Sequence, residues 1–456
     1  MNSGEGATSR TEHLAGRRLL VILGSYRSKR HLFERARELD VRLVVVDGPG
    51  HWAESDSGGE GPIERFLPVD LVPFETFAER AAKAARETHL RFDGIGAIDE
   101  FAGGFAARIA GLLELPFHSM AAADLARDKH RTREACHRAG LDGPRFMRLT
   151  GDADIEEAAR VVGFPAVLKP VSGVGSVQAY KVRDEPELRR QFSGVIMEIR
   201  EGQRAPPTSF RSDRDWFHLM WAKAPHLILE AWIDGPKYDV DLLLEHGRLA
   251  YAQVTDDLEP CGLRDVRRVA PAGLDPHDEG RIVEHAAACA RAIGFDHGAF
   301  NVEVKLTTDG PRMIEVNGRL GGYSTPDVHR AVWDVDLVEQ WLRLSFNLPV
   351  NPPVRKARCF VAESLLPSPR SGVLDRDDFL KGLESSPDVV AARPWVLGGE
   401  AVAGIETGAP DWLGAVVVRG ASRAEALARL DERVASLVFP VTAPGSDIAP
   451  DGSQSE

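Results

Sequence analysis

Apolar and polar positions alternate along the first hundred residues in a way that separates strands from helices. Leu19 to Leu23 is an unbroken apolar run stopped by Gly24, the pattern of a strand buried on both faces of a parallel sheet. Helical spacing follows from His31 to Leu39, then a second strand from Val41 to Val46 ending at Asp47. Phe74 to Thr88 reads as a helix and Gly94 to Ile98 as a strand closed by Asp99 and Glu100. Strand–helix alternation of this kind predicts a doubly wound α/β domain over residues 17–118. Only Gly24-Ser-Tyr-Arg27 follows the first strand, so the glycine spacing of a dinucleotide fold is absent.

The pattern then changes. A helix starting near Ala121 carries Lys129 and Arg133, and a second spans Ile155 to Val162. Phe164 to Pro170 leads into Ser172-Gly-Val-Gly-Ser176, and a strand resumes at Gln178 to Val182, which predicts a hairpin with a Gly-rich tip. Residues 200–226 read as an irregular insertion before a strand at Leu227 to Glu230. Beyond Asn351-Pro-Pro353, strands at Cys359–Leu365 and Ala415–Val418 and a helix at Ser422–Leu437 predict a small α+β domain over 353–440. The polar ends, 1–16 and 441–456, read as disordered tails.

Composition narrows the function. A chain of 456 residues suggests about three domains. Its 56 Lys and Arg against 69 Asp and Glu leave a formal charge of −13. That balance argues against coating nucleic acid or an anionic membrane, so any anionic ligand must be met by a local basic cluster. Cys136, Cys261, Cys289 and Cys359 form no CxxC pair, which suits a reducing, cytoplasmic setting. No run approaches the ~20 apolar residues of a membrane span.

Chemistry concentrates in three segments. In the strand pair around Phe300 to Arg319, alternation puts Asn301 and Glu303 on one face, and Glu315 and Asn317 on one face of the next strand. A symmetric turn about Asp309 would oppose Glu303 to Glu315 and Asn301 to Asn317. Opposed carboxylates repel, and a divalent cation between oxygen ligands removes the conflict. The same pair also suits a solvated polar face. Arg319, leading into Gly321-Gly322, favours a ligand site. The second segment is Lys169 with Ser172, Gly173, Gly175 and Ser176, a lysine beside a loop of backbone donors that suits polyphosphate, or an ordinary hairpin tip. The third, Leu229 to Asp241, reads as a hairpin turning at Asp234-Gly-Pro236 whose backbone suits an adenine edge.

In this order, the three segments resemble the ATP-grasp superfamily, with its carboxylate–amine ligases that join amino acids as the nearest likeness. The resemblance implies an ATP-grasp fold over 119–352, with a lid at about 150–232, behind a Rossmann-like N-terminal domain. It also implies an ADP-forming ligase using ATP and Mg²⁺ or Mn²⁺ to join a carboxylate to an amine through an acyl phosphate, with a homodimer common among similar ligases. In that likeness Lys129 and Lys169 hold phosphates, Ser172 to Ser176 cover them, and Glu230, Trp232 and Ile233 form the adenine hinge. Glu303, Glu315 and Asn317 hold the metal, and Arg319 stabilises the acyl phosphate. Gly321, Gly322 and Tyr323 line the amino-acid pocket. Two positions depart from the family pattern. Lys237 replaces a ribose-binding Glu, with Asp239 or Asp241 as substitutes. Asp265 and Arg268 stand where the family has a Glu-x-x-His pair; they suit either a solvated loop or the pocket lining, and in the pocket Arg267 or Arg268 would favour a substrate with an additional carboxylate. The other readings are activation of bicarbonate or another non-amino acid, and a non-catalytic nucleotide-binding protein.

Overall fold

The first apolar run forms β1 (Arg18–Ile22), followed by α1 (Arg30–Glu38), β2 (Arg42–Asp47), a short α2 (Trp52–Ser55), β3 (Arg65–Pro68), α3 (Phe77–Glu87), β4 (Gly94–Gly96) and α4 (Ala102–Leu113). The computed structural model describes residues 14–173, 175–204 (side chains to 198), 226–258, 263–264, 266–350, 352–353, 356–407 and 410–443. The four strands are parallel in the order β3-β2-β1-β4, so the order reverses between β1 and β4. β3 is the strand that the pattern did not predict; it is four residues long, with two buried.

Two helices replace the single one expected near Ala121: α5 (Met120–Arg127) and α6 (Lys129–Arg138). Asp128 has extended backbone angles, and its carboxylate accepts a hydrogen bond from the Arg131 N–H at 3.0 Å. This N-cap starts a new helix and makes Lys129 its first residue. A lid follows, built from β5 (Phe146–Leu149), α7 (Ile155–Val162), β6 (Ala166–Pro170), β7 (Tyr180–Val182), α8 (Glu185–Arg204) and β8 (Leu227–Ala231). Its strands are antiparallel in the order β5-β8-β6-β7. The irregular insertion expected over 200–226 lies mostly outside the described residues, and residues 200–204 belong to α8.

The remaining elements are β9 (Lys237–Glu245), β10 (Arg248–Leu258), β11 (Arg267–Ala270), α9 (Pro276–Ala292), β12 (Gly298–Thr307), β13 (Gly310–Asn317), α10 (Thr325–Trp333), α11 (Leu337–Ser345), β14 (Phe360–Pro367), β15 (Gly372–Leu374), β16 (Val389–Pro394), β17 (Ala401–Val402), β18 (Trp412–Gly420), α12 (Arg423–Ala435) and β19 (Val441–Thr442). An eight-stranded sheet runs β13-β12-β9-β10-β11-β14-β18-β16. Two expectations are corrected by this order. β8 and β9 do not pair as a hairpin, because β8 completes the lid sheet while β9 sits between β12 and β10. The segment 353–440 is not a separate layer either, since β14, β18 and β16 continue the large sheet and only β17-β15-β19 forms a small sheet apart. Val441–Thr442 belongs to that small sheet and Leu14 is fully buried, so both tails are shorter than the polar pattern implies.

α9 lays Ile282, Ala286, Cys289 and Ala290 on the large sheet against Val240, Val302 and Val316. The N-terminal sheet docks on α11 through glycine: a Cβ on Gly96 would lie 2.7 Å from Trp341, and one on Gly94 would lie 2.2 Å from the Ser345 carbonyl. That close approach fixes the carboxyl end of β4 over the large sheet. Among the described residues no helix is long and apolar enough to cross a membrane.

Candidate functional site

The β12–β13 hairpin has the register that a symmetric turn requires, with Glu303 opposite Glu315 and Asn301 opposite Asn317. β9 adds a third column, setting Asp239 beside Glu303 and Asp241 beside Asn301. Two rows of oxygen-bearing side chains therefore cross three strands. Each carboxylate of the opposed pair meets a lysine: Lys129 Nζ lies 2.6 Å from Glu315, and Lys237 Nζ lies 3.0 Å from Glu303 and 3.1 Å from Asp257. Burial, reinforced by the Asp239 and Glu315 carboxylates against the pull of Lys237, pushes Glu303 above the usual carboxylate range. Lys237 is thus part of the acidic rows.

The donor chemistry fits Mg²⁺ or Mn²⁺. Glu303, Glu315 and Asn317 offer only oxygen ligands of the hard type these ions prefer, with the two carboxylates half-buried and Asp239 beside them. Among the described residues no three His, Cys, Asp or Glu side chains are grouped closely enough to hold a metal ion by themselves, and Asn317 is the third member of this set.

Lys169 lies on β6 with its ammonium 2.6 Å from Glu230 of β8, and Arg133 of α6 approaches the same carboxylate at 2.8 Å. Burial pushes Glu230 up, but Arg133 and Lys169 more than offset it and hold the carboxyl at about 2. Arg133 also donates to the Ile314 carbonyl at 2.5 Å, tying α6 to β13. Glu230 therefore anchors two cations. The Gly-rich loop springs from this point: the Lys129 N–H donates to the Val171 carbonyl at 2.8 Å, and its ammonium donates to the Gly173 carbonyl at 3.1 Å. Arg127 donates to Ser172 Oγ at 2.9 Å, and Ser176 Oγ donates to the Leu263 carbonyl at 2.9 Å. Gly175 and Ser176 both have φ near +55°, which glycine adopts freely.

Trp232 and Ile233 lie between the lid sheet and the large sheet. The Trp232 N–H donates to the Pro165 carbonyl at 3.0 Å, and Lys305 donates to the Ile233 carbonyl at 2.9 Å. Lys181 and Lys305 lie over the indole at 3.7 and 4.3 Å from its ring centre.

Beyond the hairpin, Arg319 forms an ion pair with Glu100 of the N-terminal domain and donates to the Leu320 carbonyl at 2.7 Å. Gly321 admits no side chain, since a Cβ there would meet Asp241 Oδ1 at 2.2 Å. Tyr323 has φ +56° and stacks on Trp395 at 5.6 Å, with Arg268 5.3 Å from its ring centre. Arg268 is buried and bonds Glu363 through Nε at 3.0 Å and through Nη2, with Asp239 and Thr325 each 3.4 Å from Nη1. Arg267 points the other way, to Asp431 at 2.6 Å, so of the two arginines only Arg268 reaches this region. Asp265 lies outside the described residues.

Two family models match. Residues 162–327 match the ATP-grasp domain, and residues 33–117 match the ATP-grasp N-terminal domain. The chain carries an ATP-grasp domain. Carnosine synthase 1 of Mus musculus is 30% identical over 382 residues, covering 78% of this chain and 44% of that protein. The alanine–anticapsin ligase of Bacillus subtilis is 22% identical over 251 residues, covering 53% of this chain and 52% of that protein. The L-amino acid ligase structure from Bacillus licheniformis superposes with a TM-score of 0.77 at 21% identity, covering 94% of this chain and 99% of that one. The chain spans less than half the length of the carnosine synthases it matches. The ATP-grasp fold places the lid sheet and the large sheet on either side of the Lys129, Lys169 and Glu303–Glu315 cluster.

Several residues around the ATP-grasp domain's cluster were not legible in the chain. Arg127 and Arg133 stand on α5 and α6 among ordinary helical charges, and Glu363 sits on a strand 95 residues from its partner Arg268. His329 has no sequence signal at all, yet it is fully buried between Tyr251 (2.8 Å) and Asp241 (3.2 Å). Asp241 accepts from Asn301, and Asn301 accepts from Asn317, each at 3.2 Å. The sequence pointed to Asp241 only as a substitute for the ribose-binding Glu of the family pattern.

Proposed function

We propose that this protein is an ATP-dependent, ADP-forming ligase that joins the carboxylate of one amino acid to the amine of another. The observation that carries the reading is the opposed pair Glu303–Glu315, flanked by Lys129 on one side and followed by Arg319 on the other. In this reading Lys129 and Lys169 take the polyphosphate and the Ser172–Ser176 loop covers it with backbone N–H groups. The Trp232–Ile233 backbone faces the adenine. Glu303, Glu315 and Asn317 would hold Mg²⁺, whose contribution when bound is to neutralise the phosphates.

Arg319 stabilises charge on the transferring phosphoryl group as the substrate carboxylate attacks the γ-phosphorus. That step breaks the bond between the γ-phosphorus and the β–γ bridging oxygen, releases ADP and gives an acyl phosphate; attack by the amine at its carbonyl, with loss of a proton, expels phosphate and forms the amide. Gly321, Gly322, Tyr323 and Arg268 border the place for the amino acid. Because Glu363 already takes two donors of Arg268, the charge of this arginine is less available to an additional substrate carboxylate than the motif alone suggests. The free thiols of Cys136, Cys289 and Cys359 support a reducing, cytoplasmic setting.

The test is hydroxylamine trapping. With ATP, Mg²⁺ and amino acids supplied one at a time, a hydroxamate and ADP should accumulate together. Release of AMP and pyrophosphate, or no nucleotide cleavage with any acid, would overturn the proposal.

A further inference from the structure

The reversal of strand order between β1 and β4 opens a crevice at their carboxyl ends, the place where open parallel sheets receive ligands. Lys29 follows β1 at this crevice, and Asp99 and Glu100 follow β4. The crevice faces the large sheet: Glu100 pairs with Arg319, and the Lys29 ammonium lies 3.8 Å from the position a Cβ would take on Gly322. Three cations from three parts of the chain thus gather here, Lys29, Arg268 and Arg319.

Two of the three carry their own acid, Arg319 with Glu100 and Arg268 with Glu363. Lys29 has no carboxylate within ion-pair distance among the described residues. Asp99, on the same domain, accepts instead from Ser25 Oγ at 2.9 Å. A half-buried ammonium that no carboxylate pairs, set beside two other cations, favours an arriving anion. Burial and the Arg319 charge act in that sense already, pushing Lys29 down to about 8 against the smaller pulls of Asp99 and Glu100.

We propose that Lys29 is a substrate-binding residue that receives the carboxylate of the acid about to be activated, holding it beside Arg319. The proposal rests on the ligase reading above. It assigns the N-terminal domain a direct part in choosing the acid, through a compact ammonium that a small carboxylate can approach beside Gly322.

The test uses the full chain and its Lys29→Gln and Lys29→Arg variants, with thermal unfolding to confirm that each is folded. A panel of single proteinogenic amino acids with ATP, Mg²⁺ and hydroxylamine finds an acid that the wild type activates. For that acid, Lys29→Gln should raise KM roughly tenfold or more while KM for ATP stays within about twofold. Lys29→Arg should restore most of the loss. Hydroxylamine carries no carboxylate, so this readout isolates the acid from the amine substrate.

If the wild type makes hydroxamate but Lys29→Gln leaves KM for the acid unchanged, or changes only KM for ATP or for an amino-acid amine, the assignment of Lys29 is wrong and the ligase reading stands. If the wild type makes no hydroxamate and releases no ADP with any acid, the ligase reading fails and Lys29 loses this role with it.

Discussion

Glu230 stands between Lys169 and Arg133, 2.6 Å from one and 2.8 Å from the other, so one carboxylate joins the lid sheet to the helix that begins with Lys129. Removing its charge leaves two buried cations facing each other. Glu230→Gln should therefore destabilise the protein by about 3 kcal/mol or more. Urea unfolding checks this, and a loss below about 1 kcal/mol would show that the pair is not needed to hold the lid.

The same carboxylate gives a pH signature. Its folded-state value of about 2 lies below the ordinary 4.5, so its contribution is complete above pH 4.5 and disappears as pH falls toward 2. Wild type should lose stability through that window more steeply than Glu230→Gln. Parallel unfolding curves for the two proteins between pH 5 and pH 2.5 would contradict it.

Glu315→Gln should reduce ADP release by roughly 10²-fold or more, the scale set by losing one group that stabilises transition-state charge. The fold should survive, since the substitution keeps the shape of the side chain and Lys129 retains its bond to the Gly173 carbonyl. Mn²⁺ binding followed by electron paramagnetic resonance with ADP present supplies the second readout. Near-normal metal binding in the variant would place the metal elsewhere.

The buried chain Tyr251–His329–Asp241–Asn301–Asn317 connects His329 to Asn317, one of the three residues proposed to hold the metal. His329→Phe takes a partner from both Tyr251 and Asp241 and should cost about 1–3 kcal/mol. Tyr251→Phe, which removes only the hydroxyl, should cost about 1 kcal/mol. Equal losses in the two variants would mean that the Asp241 contact contributes nothing.

Two glycines offer a contrast. Gly321→Ala would drive a methyl into Asp241 Oδ1 and Thr325, and should cost about 1–3 kcal/mol and most of the turnover. Gly111→Ala in α4 meets nothing within 4 Å and should stabilise by about 0.5–1 kcal/mol. Unfolding midpoints of the pair decide whether the close approach at Gly321 is what matters.

How far the chain could be read follows from the range over which its signals act. The pairing of Glu303 with Glu315 depends on one short turn about Asp309, and strand alternation carries it across the hairpin. The doubly wound start was legible for the same reason, since its first two strands are apolar through their middles and its helices amphipathic. The grouping of β8 with the lid and β9 with the large sheet was not, because a turn at Asp234-Gly-Pro236 looks the same in a hairpin and in a passage between two sheets. Contacts between distant parts, such as Arg133 with Glu230 across 97 residues, leave no local trace. The break between α5 and α6 did have one: Asp128 is a good N-cap residue, obscured by a helical pattern on both sides.

The indole of Trp232 lies on the segment that passes from one sheet to the other, and each sheet lends it a lysine: Lys181 from the lid and Lys305 from the large sheet. The two cation contacts therefore make the indole a joint shared by both sheets, so that trimming the ring would take a contact from the lid and from the large sheet at once.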